Sequence, residues 1–217
     1  MEFAKPLPPF LIARHRDRRA ARTAEELRRL RELSEHGQNP RAMVIACCDS
    51  RVMESEVFGS EAGEFFVHRN IANLVPPCTT DGQQHGTSAT IEYAVKVLKV
   101  RHLIVMGHSR CGGVAGCYDL HAGNTDQAPD PDSFVGHWLE ILEPSVKPLI
   151  AEGLSREAAL RRLEQEAVLR SLANLMTFPF VAEEVYVGRL QLHGTWKDIG
   201  DGDLEVYDAE TNAFYRL

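Results

Sequence analysis

The sequence predicts an α/β fold: a mostly parallel central sheet flanked by helices, with an N-terminal helical arm and a C-terminal antiparallel extension. Three observations lead there. The runs "AMVIAC" and "HLIVMGH" are apolar, short and bounded by polar turns, which suits buried strands rather than helices. Segments with helical spacing alternate with them, the pattern of a parallel sheet covered on its faces. The tail alternates apolar and polar residues around Gly and Asp turns.

The elements follow in order. Thr23 to Ser34 reads as a helix: Thr23 and Glu26 fit a capping box, Leu27, Leu30 and Leu33 form a stripe, and Gly37 is a stop signal. Before it, "RHRDRRAAR" reads as a solvated helical face. "AMVIAC" and "EFFVHRN" are strands. "TSATIEYAVKVLKV" is a helix with Ile91, Ala94, Val95 and Leu98 on one side. "HLIVMGH" is a strand, and "CGGVAGCYDL" opens a helix. "SREAALRRLEQEAVLRSLANL" is a long amphipathic helix with Leu160, Leu163, Ala167 and Leu172 inward. The tail from Glu183 reads as a strand followed by a small hairpin.

With 217 residues, 44% of them hydrophobic and 25% charged, the chain suits one domain over 1–217, divided into an arm (1–36) and an α/β core (37–217). A net charge of −7 weighs against nucleic acid or an anionic membrane as partner. No apolar stretch has the length of a membrane span, and the N-terminus lacks the features of a signal peptide, so a cytoplasmic protein is expected.

Five cysteines, an odd number, fit a disulfide scaffold poorly. Cys117 reads as core and Cys78 as a loop thiol. In parallel sheets, ligands sit beyond the carboxyl ends of strands. "AMVIACCDSR" and "HLIVMGHSRCGG" both pass from strand to polar loop in that direction. If the strands are neighbours, Cys47, Asp49 and Arg51 meet His108 and Cys111. Thiolate and imidazole together suit zinc. Three ligands with an open position are the pattern of a catalytic zinc, one per chain. Strand alternation puts Asp49 on the side of Cys47, where a carboxylate could take a proton from metal-bound water while Arg51 holds it ionised. The plainer reading is a structural ion pair.

At these residues the sequence resembles the β-class carbonic anhydrases. "CCDSR" and "GHSRCGG" are similar to the family's two zinc motifs, and "GEFFVHRNIANLVPP" and "HGTSATIEYAVKVLKV" to the chain between them. The resemblance is clear from about Gly37 to Gly116. It implies that Cys47, His108 and Cys111 bind zinc, that Asp49 and Arg51 form the catalytic pair, and that Gly112 lends a backbone N–H to bound substrate. It further implies that Gln38 is a substrate-site glutamine of the plant-type subgroup and that Phe66, Ile71 and Tyr93 line an apolar pocket. The implied reaction is hydration of CO2 to bicarbonate and a proton by hydroxide on zinc. The implied assembly is a homodimer or higher even-numbered oligomer; the functional reading of "RHRDRRAAR" is an N-terminal arm lying on the partner subunit.

Cys48 stands where the family commonly has Ser. Val44 and Ala46 stand where a bicarbonate-inhibited subgroup carries Trp and Gly, which implies that Asp49 leaves the fourth zinc position to water. His85 and His121 are candidate proton carriers by residue type alone. Two alternatives are a same-scaffold hydrolase of carbonyl sulfide or carbon disulfide, and a non-catalytic zinc- or bicarbonate-binding protein.

Overall fold

The computed structural model describes residues 3–124, 126 and 128–217. They fall into two compact units, Met1–Gln38 and Asn39–Leu217. The first holds helices α1 (Pro9–Ala20) and α2 (Ala24–His36). Pro9 opens α1, where a missing N–H costs nothing. The capping box of α2 is complete: Glu26 N–H donates to Thr23 Oγ1 at 3.1 Å, and Thr23 N–H to Glu26 Oε2 at 2.7 Å. Glu26 also pairs with Arg18 at 2.8 Å, which ties α2 to α1. The helix runs past Ser34 to His36 and stops at Gly37, whose φ of 81° suits glycine.

The second unit runs β1 (Ala42–Cys47), α3 (Glu54–Phe58), β2 (Phe65–Asn70), α4 (Gly86–Glu92), β3 (His102–His108) and α5 (Gly112–Ala122). It continues with α6 (Phe134–Leu139), α7 (Glu143–Ala151), α8 (Arg156–Leu175), α9 (Pro179–Tyr186), β4 (Gln191–Lys197), β5 (Leu204–Asp208) and β6 (Ala213–Arg216). The sheet order is β2-β1-β3-β4-β5-β6. The first four strands are parallel, and β5 and β6 return antiparallel as the expected hairpin. Every residue of β1 is buried, because both faces of this strand are covered. Met43 and Ile45 pack with Leu103, Val105 and Ile91; Val44 and Ala46 pack on the other side with Met106 and Val52.

Helix α8 lies on β3 and β4 where both carry glycine. A Cβ on Gly107 would come within 2.7 Å of Val168 Cγ2, and one on Gly194 within 2.9 Å of Val168 Cγ1. This close approach sets which side of α8 is inward. Ala159, Leu163, Ala167, Val168, Ser171 and Leu175 are buried, while Leu160 and Leu172 are only half-buried. The sequence stripe was therefore rotated by part of a turn.

Two further departures from the sequence reading have local causes. The helix expected over 87–100 widens into a π-turn at Tyr93–Val97, closed by Leu98 N–H to Tyr93 O at 3.0 Å. Ala94 and Val95 stay in the core, but Tyr93 turns out to 46% exposure. Residues 183–186 of the tail finish α9, which Pro179 opens, so the strand begins only at Gln191. Helices α6 and α7 had no assignment from sequence; Ser133 caps α6 by accepting from Gly136 N–H at 3.0 Å.

Candidate metal centre

Because β1 and β3 are adjacent and parallel, the loops leaving their carboxyl ends lie side by side. Cys47 is the last residue of β1, His108 the last of β3, and Cys111 the N-cap of α5 one short turn later. All three are buried. Their ligand atoms lie within 4.8 Å of one another, with Cys47 Sγ and Cys111 Sγ 3.9 Å apart. A tetrahedral zinc with Zn–S bonds of about 2.3 Å sets two sulfurs roughly 3.8 Å apart. Among the described residues no other group of three such side chains converges in this way.

The protonation pattern fits a metal as well. His108 Nδ1 donates to Ser109 O at 2.8 Å, which leaves the lone pair on Nε2. That atom is buried and has no hydrogen-bond partner. A buried lone pair set among thiols suits a metal cation. Cys111 first, then the nearby His108 and the N–H groups of Asp49 and Ala72, hold the Cys47 thiol well below its ordinary value against the effect of burial. Cys111 is pushed up correspondingly by sharing with Cys47 and by burial. Opposite shifts in two touching thiols suit a pair that gives up its protons to a soft dication.

Asp49 and Arg51 form a bidentate pair: Nε donates to Oδ1 at 2.9 Å and Nη2 to Oδ2 at 2.7 Å. Sequence reasoning joined them by strand alternation, but β1 ends at Cys47 and a tight turn does the work. Arg51 N–H also donates to Asp49 Oδ1 at 2.9 Å, and Val52 N–H closes the turn on Asp49 O at 3.1 Å. Asp49 is mostly buried while Arg51 is half exposed. The guanidinium holds the Asp49 carboxyl well below the usual carboxylate range, with smaller help from Arg51 N–H and the nearby His108. Arg51 Nη2 also donates to Arg110 O at 3.2 Å, which joins the pair to the second motif.

Three residues that sequence reasoning passed over shape the site. Arg69 donates Nε to Cys47 O at 2.9 Å and Nη2 to Asp49 O and Val52 O at 2.7 Å each, so it clamps the whole loop. Trp138 Nε1 donates to Ile71 O at 2.8 Å and holds the turn Ile71–Asn73, where Ala72 and Asn73 are left-handed without being glycine. Glu164 lies 5% exposed on α8 and accepts from Cys111 N–H at 3.2 Å. Its one sequence signal is a charge three and four residues from Leu160, Ala167 and Val168, on the inward side.

The remaining predicted residues are placed as follows. Phe66 and Tyr93 stack with ring centroids 5.7 Å apart. Ile71 is 38% exposed and touches the backbone side of α5, where Gly113 leaves it room: a Cβ there would meet Ile71 Cγ2 at 2.6 Å. Gly112 is the first residue of α5 and faces open space. Gln38 is exposed at the end of the N-terminal unit. Val44 and Ala46 are fully buried, Cys48 is exposed, and Cys117 is core, donating to Leu139 O at 3.4 Å. Cys78 follows the loop after β2 but is half-buried against the core. His85 pairs with Asp81 at 2.7 Å, and His121 Nδ1 bonds Cys117 O at 2.9 Å.

The family model of the carbonic anhydrases matches residues 42–204, a span that holds all three metal-site residues and the Asp49–Arg51 pair. The chain belongs to the carbonic anhydrase family. Its relatives are of the β class. It is 37% identical over 176 residues to β-carbonic anhydrase 3 of Arabidopsis thaliana, a match covering 80% of this chain and 66% of that protein. The solved β-carbonic anhydrase CcaA superposes with a TM-score of 0.85 at 31% identity, covering 95% of this chain and 90% of that one. One of the two tetrameric β-carbonic anhydrases of Sordaria macrospora superposes at 0.78 and 30% identity, covering 91% and 94%. Family and fold support an enzyme of the lyase class that hydrates CO2, and the Cys47–His108–Cys111 group is compatible with the zinc that β-carbonic anhydrases use. No described helix is long and apolar enough to cross a membrane.

Proposed function

We propose that this chain catalyses the reversible conversion of CO2 and water to bicarbonate and a proton at one zinc held by Cys47, His108 and Cys111. One observation carries the reading. Three buried donors, including the orphaned His108 Nε2, lie beside a carboxylate that Arg51 keeps ionised. Zinc, when bound, supplies a Lewis acid that makes water a nucleophile near neutral pH.

The chain's own groups do the rest. Ionised Asp49 can only accept hydrogen bonds, so it takes one from the attacking water and aims that oxygen's lone pair at carbon. Arg51 fixes the carboxylate in one plane, and its bond to Arg110 O keeps the pair in register with the second motif. Two thiolates and a neutral imidazole cancel the metal's charge, which weakens its acidifying effect; an acceptor beside it offsets that loss. The N–H of Gly112, at the positive end of α5, donates to a bicarbonate oxygen. The apolar side chains of Phe66, Ile71 and Tyr93 receive CO2.

The exposure of Ile71 and Tyr93 supports a pocket completed by a second copy of the chain, in an even-numbered homo-oligomer. The tetrameric relatives support self-association, and in this reading the N-terminal arm lies on the partner. Five free cysteines suit a reducing compartment, the cytoplasm. The proton leaves to buffer, with His85 and His121 as carriers to be tested.

Stopped-flow assays on CO2 and on carbonyl sulfide test the reading. Hydration of CO2 by the zinc-loaded chain is expected. Activity confined to carbonyl sulfide would transfer the site to that substrate, and zinc at one per chain with no turnover of either would make it a binding protein.

A further inference from the structure

Helix α8 carries a buried acid, Glu164, that forms no ion pair among the described residues. The nearby Arg161, three residues before it, pairs with Glu205 at 2.5 Å and stacks on the Trp196 ring at 3.7 Å. The Glu164 carboxylate is met by neutral donors instead. Oε1 takes Cys111 N–H at 3.2 Å, and Oε2 takes Trp196 Nε1–H at 3.2 Å. A carboxylate buried this way is costly unless its donors need it.

What it holds is a strained turn. Arg110 sits at φ 55°, a left-handed conformation that a non-glycine adopts only when its surroundings impose it. On one side of this residue, Cys111 enters the metal site. The same Arg110–Cys111 peptide gives its carbonyl to Arg51 Nη2 and its N–H, the donor that follows the left-handed residue, to Glu164. The helix reaches it because Gly107 and Gly194 let α8 lie against β3 and β4.

We propose that Glu164 is a positioning residue: its carboxylate fixes the left-handed Arg110–Cys111 turn, and so places both the Cys111 sulfur for the metal and the carbonyl that steadies Arg51. The proposal rests on Cys47, His108 and Cys111 being the zinc site. A ligand held in place by a neighbouring hydrogen bond typically binds its metal about 10–100-fold more tightly than the same ligand without it.

Glu164→Gln tests this on the zinc-loaded protein by chelator competition, together with the near-ultraviolet thiolate-to-metal charge-transfer band of the cobalt-substituted form. The amide can turn a donor toward the Cys111 N–H. Zinc affinity is expected to fall about 10–100-fold and the charge-transfer band to shift. Trp196→Phe removes the other donor and leaves the turn's own bonds, so it should lower thermal stability while leaving zinc affinity and the band in place. Should the amide unfold the chain, Glu164→Asp withdraws the carboxylate by one methylene and carries the same expectation. Wild-type zinc affinity and an unmoved band in the folded variant would overturn the positioning role while Cys111→Ser still loses zinc. Equal losses in the Glu164 and Trp196 variants would also overturn it, by reducing Glu164 to a packing residue. A wild-type cobalt form with no thiolate band would overturn the metal centre itself.

Discussion

Replacing Arg69 by methionine should cost this protein both stability and its metal loop. The side chain reaches from β2, at the edge of the sheet, across to the segment 47–52. It satisfies the carbonyls of Cys47, Asp49 and Val52 at 2.9, 2.7 and 2.7 Å. A hydrogen bond from a charged donor contributes about 1.5–3 kcal/mol. The three share one guanidinium, and the site is only half-buried, so water can replace part of what is lost. Methionine keeps the apolar stem. The net cost is therefore about 2–4 kcal/mol rather than the full sum. For a chain of this size that is a fall in Tm of roughly 5–15 °C. Thermal unfolding of the zinc-loaded protein, followed by circular dichroism, measures it. Arg69→Lys should recover less than half, because one ammonium cannot fork to three carbonyls. The same variants should lose zinc more readily, since the freed loop carries Cys47 and Asp49. A methionine variant that unfolds within about 1 °C of wild type would show that these bonds do not hold the loop.

Asp49→Ala should retain zinc yet lower CO2 hydration by about 100-fold or more, as expected for a group that acts on the proton of the attacking water; Cys111→Ser should instead lose zinc, which metal analysis of the two purified variants distinguishes. Asp49 also makes stability depend on acid. Arg51 lowers its carboxyl in the folded state, so its contribution is complete above the ordinary aspartate value of about 4 and drains away as pH falls below it. Between about pH 5 and pH 3 the unfolding midpoint of wild type should therefore drop more steeply than that of Asp49→Asn, and parallel slopes would contradict the assignment. Gly107→Ala places a methyl 2.7 Å from Val168 Cγ2 and should destabilise by about 1–3 kcal/mol in urea unfolding, with part of the loss recovered by Val168→Ala.

The parts of this molecule that were legible in the sequence are those written in short-range patterns. The Thr23–Glu26 capping box, the apolar runs of β1 and β3 and the turn residues of the C-terminal hairpin each declare themselves within a few positions. Two such strand ends, each followed by cysteine or histidine in a polar loop, were enough to bring Cys47, His108 and Cys111 together once β1 and β3 were taken as neighbours. What stayed hidden depends on contacts between distant segments. Arg69 bonds carbonyls 17 to 22 residues before it, and hydrogen bonds to carbonyls leave no trace in residue type at the accepting end. Trp138 reaches Ile71 across 67 residues from a helix too short to show a period. The π-turn at Tyr93–Val97 keeps the apolar residues of an ordinary helix while changing which of them face out. Glu164 was readable in principle, as a charge on the inward side of α8. The stripe was drawn through Leu160 and Leu172 instead, because nothing local announces that glycines on β3 and β4 will draw the helix in on its small-residue side.

The central claim is that one zinc, held by Cys47, His108 and Cys111, makes this chain a CO2 hydratase. Its most direct test is the CO2 hydration rate of the metal-stripped chain as zinc is returned to it in measured steps. The rate should rise in proportion to bound zinc, level off at one ion per chain, and fail to rise in Cys111→Ser. A chain filled with zinc at that stoichiometry that hydrates CO2 no faster than buffer would contradict the account.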